Sequence, residues 1–582
     1  MAHLWEMNTN EIDRRKSSVV AIHGPDGAVR RVSVTQLNDA DRALAAEFGY
    51  EPVFKREFGY FSAFSFAVSI SGTFATIAGT LSYPLYAGGS ASAVWCWLIS
   101  GAGCMCIACS VSELVSAYPT CGGLYYTVSR LAPKEWVPSI SWVVGWLNLL
   151  GQVAGVASSE WSAAALLLAA VSMGTDFKYL PGNNDVVGVM AGLTVLTGLV
   201  NALSTKWMER MTKWYVVFHV LIIVSCSIAL LVVAGKHGTL HTGKYVFTNV
   251  EDPSLSGWTP SGWSFLFGFL SVSWTMTDYD ATAHIAEEIQ EPEKKAAWAI
   301  SLAMAFTYIV GWLFTIVLCF TMGNPHEILN SPVAQPVAQI FYNVLGKSGG
   351  IFFTVAAFII LMFVCFTAEQ ALARTIFAFS RDNLLPFSRV WTKIHPLTGT
   401  PLNAVAISIF CCIAINLIGL GSYTAIAGVF NVCAIALDWS YCIPIFCKLV
   451  FGKFKPGPWY MGKVGYFVNA WACIWTAFVA IIFVMPTALP VSAETVSAYS
   501  HHPQSPRMHQ LTSESWQMNY AVVYLAGILA FAAIYWYAYG KRFYTGPIIE
   551  AKVEDEAFSN DVERSSDENS MRKRNIVEKE KN

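Results

Sequence analysis

The chain has 582 residues, 54% of them hydrophobic and 13% charged, with a formal net charge of −2 at pH 7. A soluble domain carries about 25% charged residues, and a nearly neutral chain has no basic field with which to hold nucleic acid. Composition therefore excludes a soluble enzyme, a disordered protein and a nucleic-acid binder, and the long apolar runs indicate a polytopic membrane protein.

Residues 1–58 form a polar tail of mixed charge, without the apolar core and small-residue cleavage site of a secretory signal. About twelve apolar segments follow between residues 59 and 540. They centre near Gly72, Gly103, Leu150, Leu193, Ile223, Ser273, Ile309, Leu361, Ile413, Ile435, Trp475 and Ile528. Residues 541–582 form a second tail, charge-rich and expected to be disordered from Ala551 onward. With both tails taken as cytoplasmic, the inner loops hold about three times as many Lys and Arg as the outer loops. That bias, with an even number of spans, predicts two cytoplasmic termini. The 14 cysteines fall in spans or inner loops, where they read as packing residues rather than a disulfide framework.

The first span places Ser69, Ser71, Gly72 and Thr73 together near its centre. The sixth does the same with Gly268, Ser271, Ser273, Trp274 and Thr275, then continues at once into Asp278 and Asp280. Unwound backbone survives at membrane depth only where protein or a water-lined cavity satisfies it. Matching interruptions in two oppositely directed spans are the sequence mark of a secondary transporter's binding site. Close helix packing through small residues is the alternative. Taken as a site, Ser71, Gly72 and Thr73 would offer N–H groups and positive dipole to a carboxylate. Freed carbonyls of the sixth span around Ser271, Ser273 and Thr275 would take an ammonium, with Trp274 covering the substrate or facing the amine by cation–π attraction.

Ionisable groups at depth are few. Glu160 lies in the third span, His219 in the fifth, Asp278 and Asp280 at the end of the sixth, and Asp438 in the tenth. A charge at the bilayer centre costs at least ~2.5 kcal/mol, which makes such residues functional candidates. Asp280, His284 and Glu287 are spaced i, i+4, i+7 and share one helix face. This would suit a proton path, or equally a water-reached network locking the helix end. We take Asp278, Asp280, His219 and Glu160 as proton-coupling candidates, a satisfied core histidine being the plainer reading of His219. Glu113, after the second span, and Glu287 and Glu288 sit at the cytoplasmic mouth with Arg381 and Asp382. They are candidates for an inner gate or for a solvated charge network. Glu369 and Arg374 read as structural.

Three stretches carry a family likeness: Glu113-Leu-Val-Ser-Ala-Tyr-Pro-Thr-Cys-Gly-Gly-Leu-Tyr-Tyr126, Asp278-Tyr-Asp-Ala-Thr-Ala-His-Ile-Ala-Glu-Glu288, and Phe379-Ser-Arg-Asp-Asn-Leu-Leu-Pro386 continued by Pro396-Leu-Thr-Gly-Thr-Pro-Leu-Asn403. Over roughly residues 50–547 the chain resembles the amino acid–polyamine–organocation superfamily, most closely its fungal amino acid/choline branch, which includes GABA permeases. The resemblance implies an all-α membrane fold of two inverted five-helix repeats, about 59–235 and 261–450, with two peripheral helices at about 465–540. It also implies substrate at the interrupted first and sixth spans, usually with the proton as coupling ion and no other cofactor. Some proton-coupled relatives hold a titratable lysine in the fifth helix where sodium-coupled cousins bind an ion, and His219 lies in about that place. Ser71-Gly72-Thr73 departs from the Gly-x-Gly of many relatives.

No nucleophile elbow, P-loop or paired-cysteine zinc site is present and the 11 histidines are scattered, so neither catalytic nor metal-binding residues are expected. The expected function is a permease importing a small amino acid or related amine such as GABA by proton symport. Choline, polyamine or vitamin transport on the same fold and a non-transporting nutrient receptor are the alternatives. Its partners are a small-molecule substrate and the lipid bilayer. The plasma membrane is the first expectation and the vacuolar membrane the second. An epitope tag on either terminus should be reached by antibody only after the membrane is permeabilised; labelling of intact cells would reverse the assigned orientation.

Overall fold

The computed structural model describes residues 19–23, 29–33, 39–250, 256–259, 261–332, 335–420, 423–486, 520–547 and 552–554. The chain divides into two compact units, one of residues 1–53 with 548–582 and one of residues 54–547.

In the smaller unit a three-stranded antiparallel sheet has the order β2–β1–β3. Strand β1 is Val19–His23, β2 is Val29–Ser33 and β3 is Lys552–Glu554. Val20 lies opposite Val32 on one side and Val553 on the other. The β-branched residues of β1 and β2 suit a pleated sheet. Composition predicted disorder from Ala551 onward, yet residues 552–554 are paired; the rest of that tail lies outside the described residues.

The larger unit is all-α and polytopic. Eleven helices among the described residues are long and apolar enough to cross a membrane. They coincide with every predicted segment except the sixth, which is broken into pieces too short to qualify. The third span, Val137–Gly174, packs along the eighth, Pro336–Arg381, and along the tenth, Tyr423–Phe451. The second, Ser82–Ala117, packs along the seventh, Pro292–Thr321. The last span, Ala521–Phe543, is buried over only 11% of its most apolar window, as befits a peripheral helix facing lipid.

The first span is two helices, Tyr60–Ser71 and Thr73–Thr80, joined through Gly72 in the left-handed region (φ +48°). Glycine is required there twice over, by the positive φ and because a Cβ would stand 2.2 Å from Val364 Cγ2 of the eighth span. The sixth span differs from its sequence reading. Gly268 keeps helical dihedrals between Ser261–Phe267 and Phe269–Thr275, so Ser271, Ser273 and Thr275 all lie in helix. The chain leaves the helix at Met276 and resumes only at Ala281–His284, with Asp278 at φ +63°. The hydroxyls that suggested an interruption are bound to neighbouring helices or to their own turn, whereas the real break is made by an aspartate in the left-handed region.

Gly72→Ala should cost about 1–2 kcal/mol in backbone strain alone, with the Val364 clash added. It is expected to lower the thermal midpoint of the detergent-purified protein, and the Gly72→Ala/Val364→Ala pair should recover part of the loss.

Candidate functional site

Between the two breaks lies a cavity of about 30 Å³ lined by Ile70, Thr76, Ser159, Trp274, Thr277 and Asp278, with Val364, Cys433 and small residues completing its walls. That is room for about two waters and not for an amino acid in this conformation. The Trp274 indole is pinned from behind. Its Nε1–H donates to Ser158 Oγ at 3.2 Å, and its ring lies 5.0 Å from Phe430. Asp278 Oδ1 and Thr277 Oγ1 are buried and meet no hydrogen-bond partner.

Of the seven residues expected to bind substrate, Trp274 alone lines the cavity. The Ser71 hydroxyl points to Met304 Sδ at 3.9 Å, and Thr73 Oγ1 donates to Thr307 Oγ1 at 3.3 Å, both on the seventh span. Gly72 supplies the break itself. Ser271 shares a 2.8 Å hydrogen bond with Thr80, Ser273 a 3.3 Å bond with Ser100, and Thr275 donates to the Ser271 carbonyl at 2.8 Å. These side chains hold the broken helices in place. Thr76, Ser159 and Thr277 were missed, although Thr277 stands beside an acid that the sequence had singled out.

The proton-coupling candidates occupy four different settings. His219 Nε2 accepts the Phe74 backbone N–H at 3.0 Å, satisfying a donor at the start of the second half-helix. The ring proton then resides on Nδ1 in the neutral form. Glu160 faces away from the cavity and accepts from Thr194 Oγ1 at 2.7 Å. Neither Glu160 nor Asp438 pairs with His219 or lines the cavity; Asp438 lies near Tyr279 and Cys104. Asp278 faces the cavity.

Asp280 turns the other way, into a buried network. Its Oδ1 accepts from Tyr441 OH at 2.6 Å, and its Oδ2 from Asn148 Nδ2 at 2.6 Å. His284 Nε2 stands 3.0 Å from the same Oδ2, and its Nδ1 2.8 Å from the Cys121 carbonyl oxygen. A carbonyl only accepts, so Nδ1 carries a proton. A second proton must then lie between Nε2 and Oδ2, on one atom or the other. The pair holds that proton in this conformation, whichever side owns it. Gly123 lets the loop close against His284, because a Cβ there would come within 3.0 Å of His284 Cε1.

The expected gate residues form two separate groups. Glu287 receives both terminal nitrogens of Arg381, at 3.0 and 3.3 Å, and the Cys121 N–H at 3.1 Å. Glu288 receives Arg374 Nε at 2.7 Å and Gln370 Nε2 at 3.1 Å. Both ion pairs join the end of the sixth span to the eighth and are fully enclosed. Glu113 stands apart, paired with Lys448 of the tenth span and accepting from Asn469 of the eleventh. Arg374, read from sequence as structural, is thus a partner of the gate group. Cys121 joins the two networks, its N–H bound to Glu287 and its C=O to His284.

Breaking one member of a buried ion pair costs about 3–5 kcal/mol, whereas replacing both with apolar groups is often neutral. Arg374→Met should therefore sharply lower the thermal midpoint in detergent, and Arg374→Met/Glu288→Leu should restore most of it.

Comparison with known proteins places the chain in context. The amino acid permease family profile matches residues 58–503. An uncharacterized amino-acid permease of Schizosaccharomyces pombe is 57% identical over 523 residues, covering 89% of this chain and 91% of its own. Amino-acid permease 2 of Neurospora crassa is 46% identical, over 90% and 92% of the two chains. More distantly, a putative polyamine transporter of Candida albicans is 27% identical over 92% and 94%.

Proposed function

The chain belongs to the amino acid permease family, and on that footing we propose that it imports a small amino acid or related amine such as GABA by proton symport. As a member of that family it is a multi-pass membrane transporter of small molecules, not an enzyme. The observation that carries the finer reading is the small cavity at two helix breaks, with the proton-holding Asp280–His284 pair starting two residues beyond the cavity-lining Asp278.

In this reading, alternating access moves the first and sixth spans against the third and tenth. The Asp280 carboxylate bridges those elements through Asn148 and Tyr441 while His284 grips the Cys121 carbonyl. Loss of the shared proton leaves two acceptors facing each other 3.0 Å apart, which repels them and loosens the clasp. The Glu287–Arg381 and Glu288–Arg374 pairs then serve as the inner gate, opening toward the cytoplasm in the orientation given by the Lys and Arg bias. The plasma membrane is the proposed location. A choline or polyamine substrate is the second reading, favoured by the acid in the cavity wall and by the name of the Candida albicans relative.

Proteoliposomes under an inward proton gradient, supplied in turn with tritiated GABA, proline, choline and putrescine, test the reading. Accumulation of at least one probe, abolished by a protonophore, is the expected result. No uptake of any probe sinks the transport assignment, and binding without accumulation would instead indicate a receptor. Asp280→Asn should retain exchange across the vesicle but lose concentrative uptake by tenfold or more, as measured by counterflow beside net accumulation.

A further inference from the structure

We propose that Asp278 is the substrate's ammonium receptor, making the site selective for a cationic amine end, and that it is not a carrier of the coupled proton. The proposal rests on the transport reading above and assigns one side chain within it.

Three observations converge on this residue. First, Asp278 lines the cavity at the break, and its Oδ1 is enclosed there without a donor. A buried acceptor left unmet costs about 1–3 kcal/mol, and more if charged. A neighbouring donor would normally satisfy it, as Asn148, Tyr441 and His284 do for Asp280 only two residues away. Second, the indole of Trp274 lines the same cavity, and its own N–H is already bound to Ser158. An indole face attracts cations and offers nothing to a carboxylate. Thr277 Oγ1, also unpartnered, completes a cluster of acceptors and π-surface suited to an N⁺–H donor or a quaternary ammonium. Third, Asp278 keeps a left-handed backbone at φ +63° that glycine would adopt without strain. Glycine or asparagine would serve the backbone at this turn equally well, so the backbone alone does not account for a carboxyl in the cavity wall.

The division of labour between the two aspartates follows. Asp280 is saturated with donors and exchanges its proton with His284, away from the cavity. Asp278 has acceptor capacity in reserve at Oδ1, and an arriving ammonium supplies the missing hydrogen bond together with a positive charge inside the cavity. A substrate lacking the amine would enclose the carboxyl without compensation, a penalty that discriminates strongly against it.

Asp278→Asn and Asp278→Gly should both fold, since asparagine and glycine tolerate the left-handed region; a purely structural aspartate would instead show a lowered thermal midpoint. Purified wild type and variants are assayed with GABA, choline and putrescine, and with butyrate as the amine-free control. Thermal stabilisation reports binding, and proteoliposome uptake with proton flux reports transport. At least one amine should stabilise wild type while butyrate does not. Each variant should raise the KM and apparent Kd for that amine tenfold or more, with protons moved per substrate unchanged, and Asp278→Glu should recover part of the affinity. Unchanged affinity with lost proton flux would overturn the proposal and make Asp278 the coupling acid. Equal stabilisation of wild type by butyrate, or none by any amine, would overturn it as well. Wild type that binds an amine through Asp278 but accumulates nothing would refute transport and leave the ammonium site standing.

Discussion

Hydrocarbon offers no hydrogen bonds, so any backbone that leaves a helix within the bilayer must be satisfied by the protein itself. Much of the polar architecture of this chain answers that demand. At the first break His219 takes the Phe74 N–H, and Thr76 Oγ1 donates to the Ser71 carbonyl at 2.9 Å. At the second, Asp280 returns an N-terminal turn through bonds from its carbonyl to the Ala283 and His284 N–H groups, while its side chain gathers Tyr441, Asn148 and His284. The broken spans are held open by side chains drawn from the third, fifth, seventh and tenth. Their position is therefore a property of the whole bundle and not of either helix.

The same demand explains where polar side chains do not go. Nearly every hydroxyl near the breaks is used up on a neighbour or on its own turn. The cavity is left with Thr76, Ser159, Thr277, one indole and one carboxyl. Little polar capacity around the breaks therefore remains unspent.

Spans were legible in the sequence because a 20-residue apolar run has few other meanings, and the first break was legible because Gly72 stands among hydroxyls. The second was displaced by several residues. Ser271, Ser273 and Thr275 look like breakers in one dimension, but their bonding to Thr80, Ser100 and the Ser271 carbonyl is a fact of packing. Asp278 was singled out for its charge, while its left-handed backbone has no signature in an aspartate. The acids at the inner end were found, yet their partners were not all foreseen: Arg374 and Lys448 come from spans whose proximity to the sixth and second only the fold reveals. The strand at 552–554 was hidden by a charge-rich composition that ordinarily argues against order.

The cavity of about 30 Å³ acts as a ruler. Val364 packs on Gly72 and Phe430 on Trp274, so admitting anything larger than water there means parting these packed surfaces. In the proposed cycle the work of parting falls to the cargo, through the contacts it makes once inside. A molecule too small makes too few contacts to hold the walls apart, and one too large keeps the first and eighth spans from closing over it. In the proposed transport cycle, this one tight seam would set both a lower and an upper length for what can be carried, independently of charge.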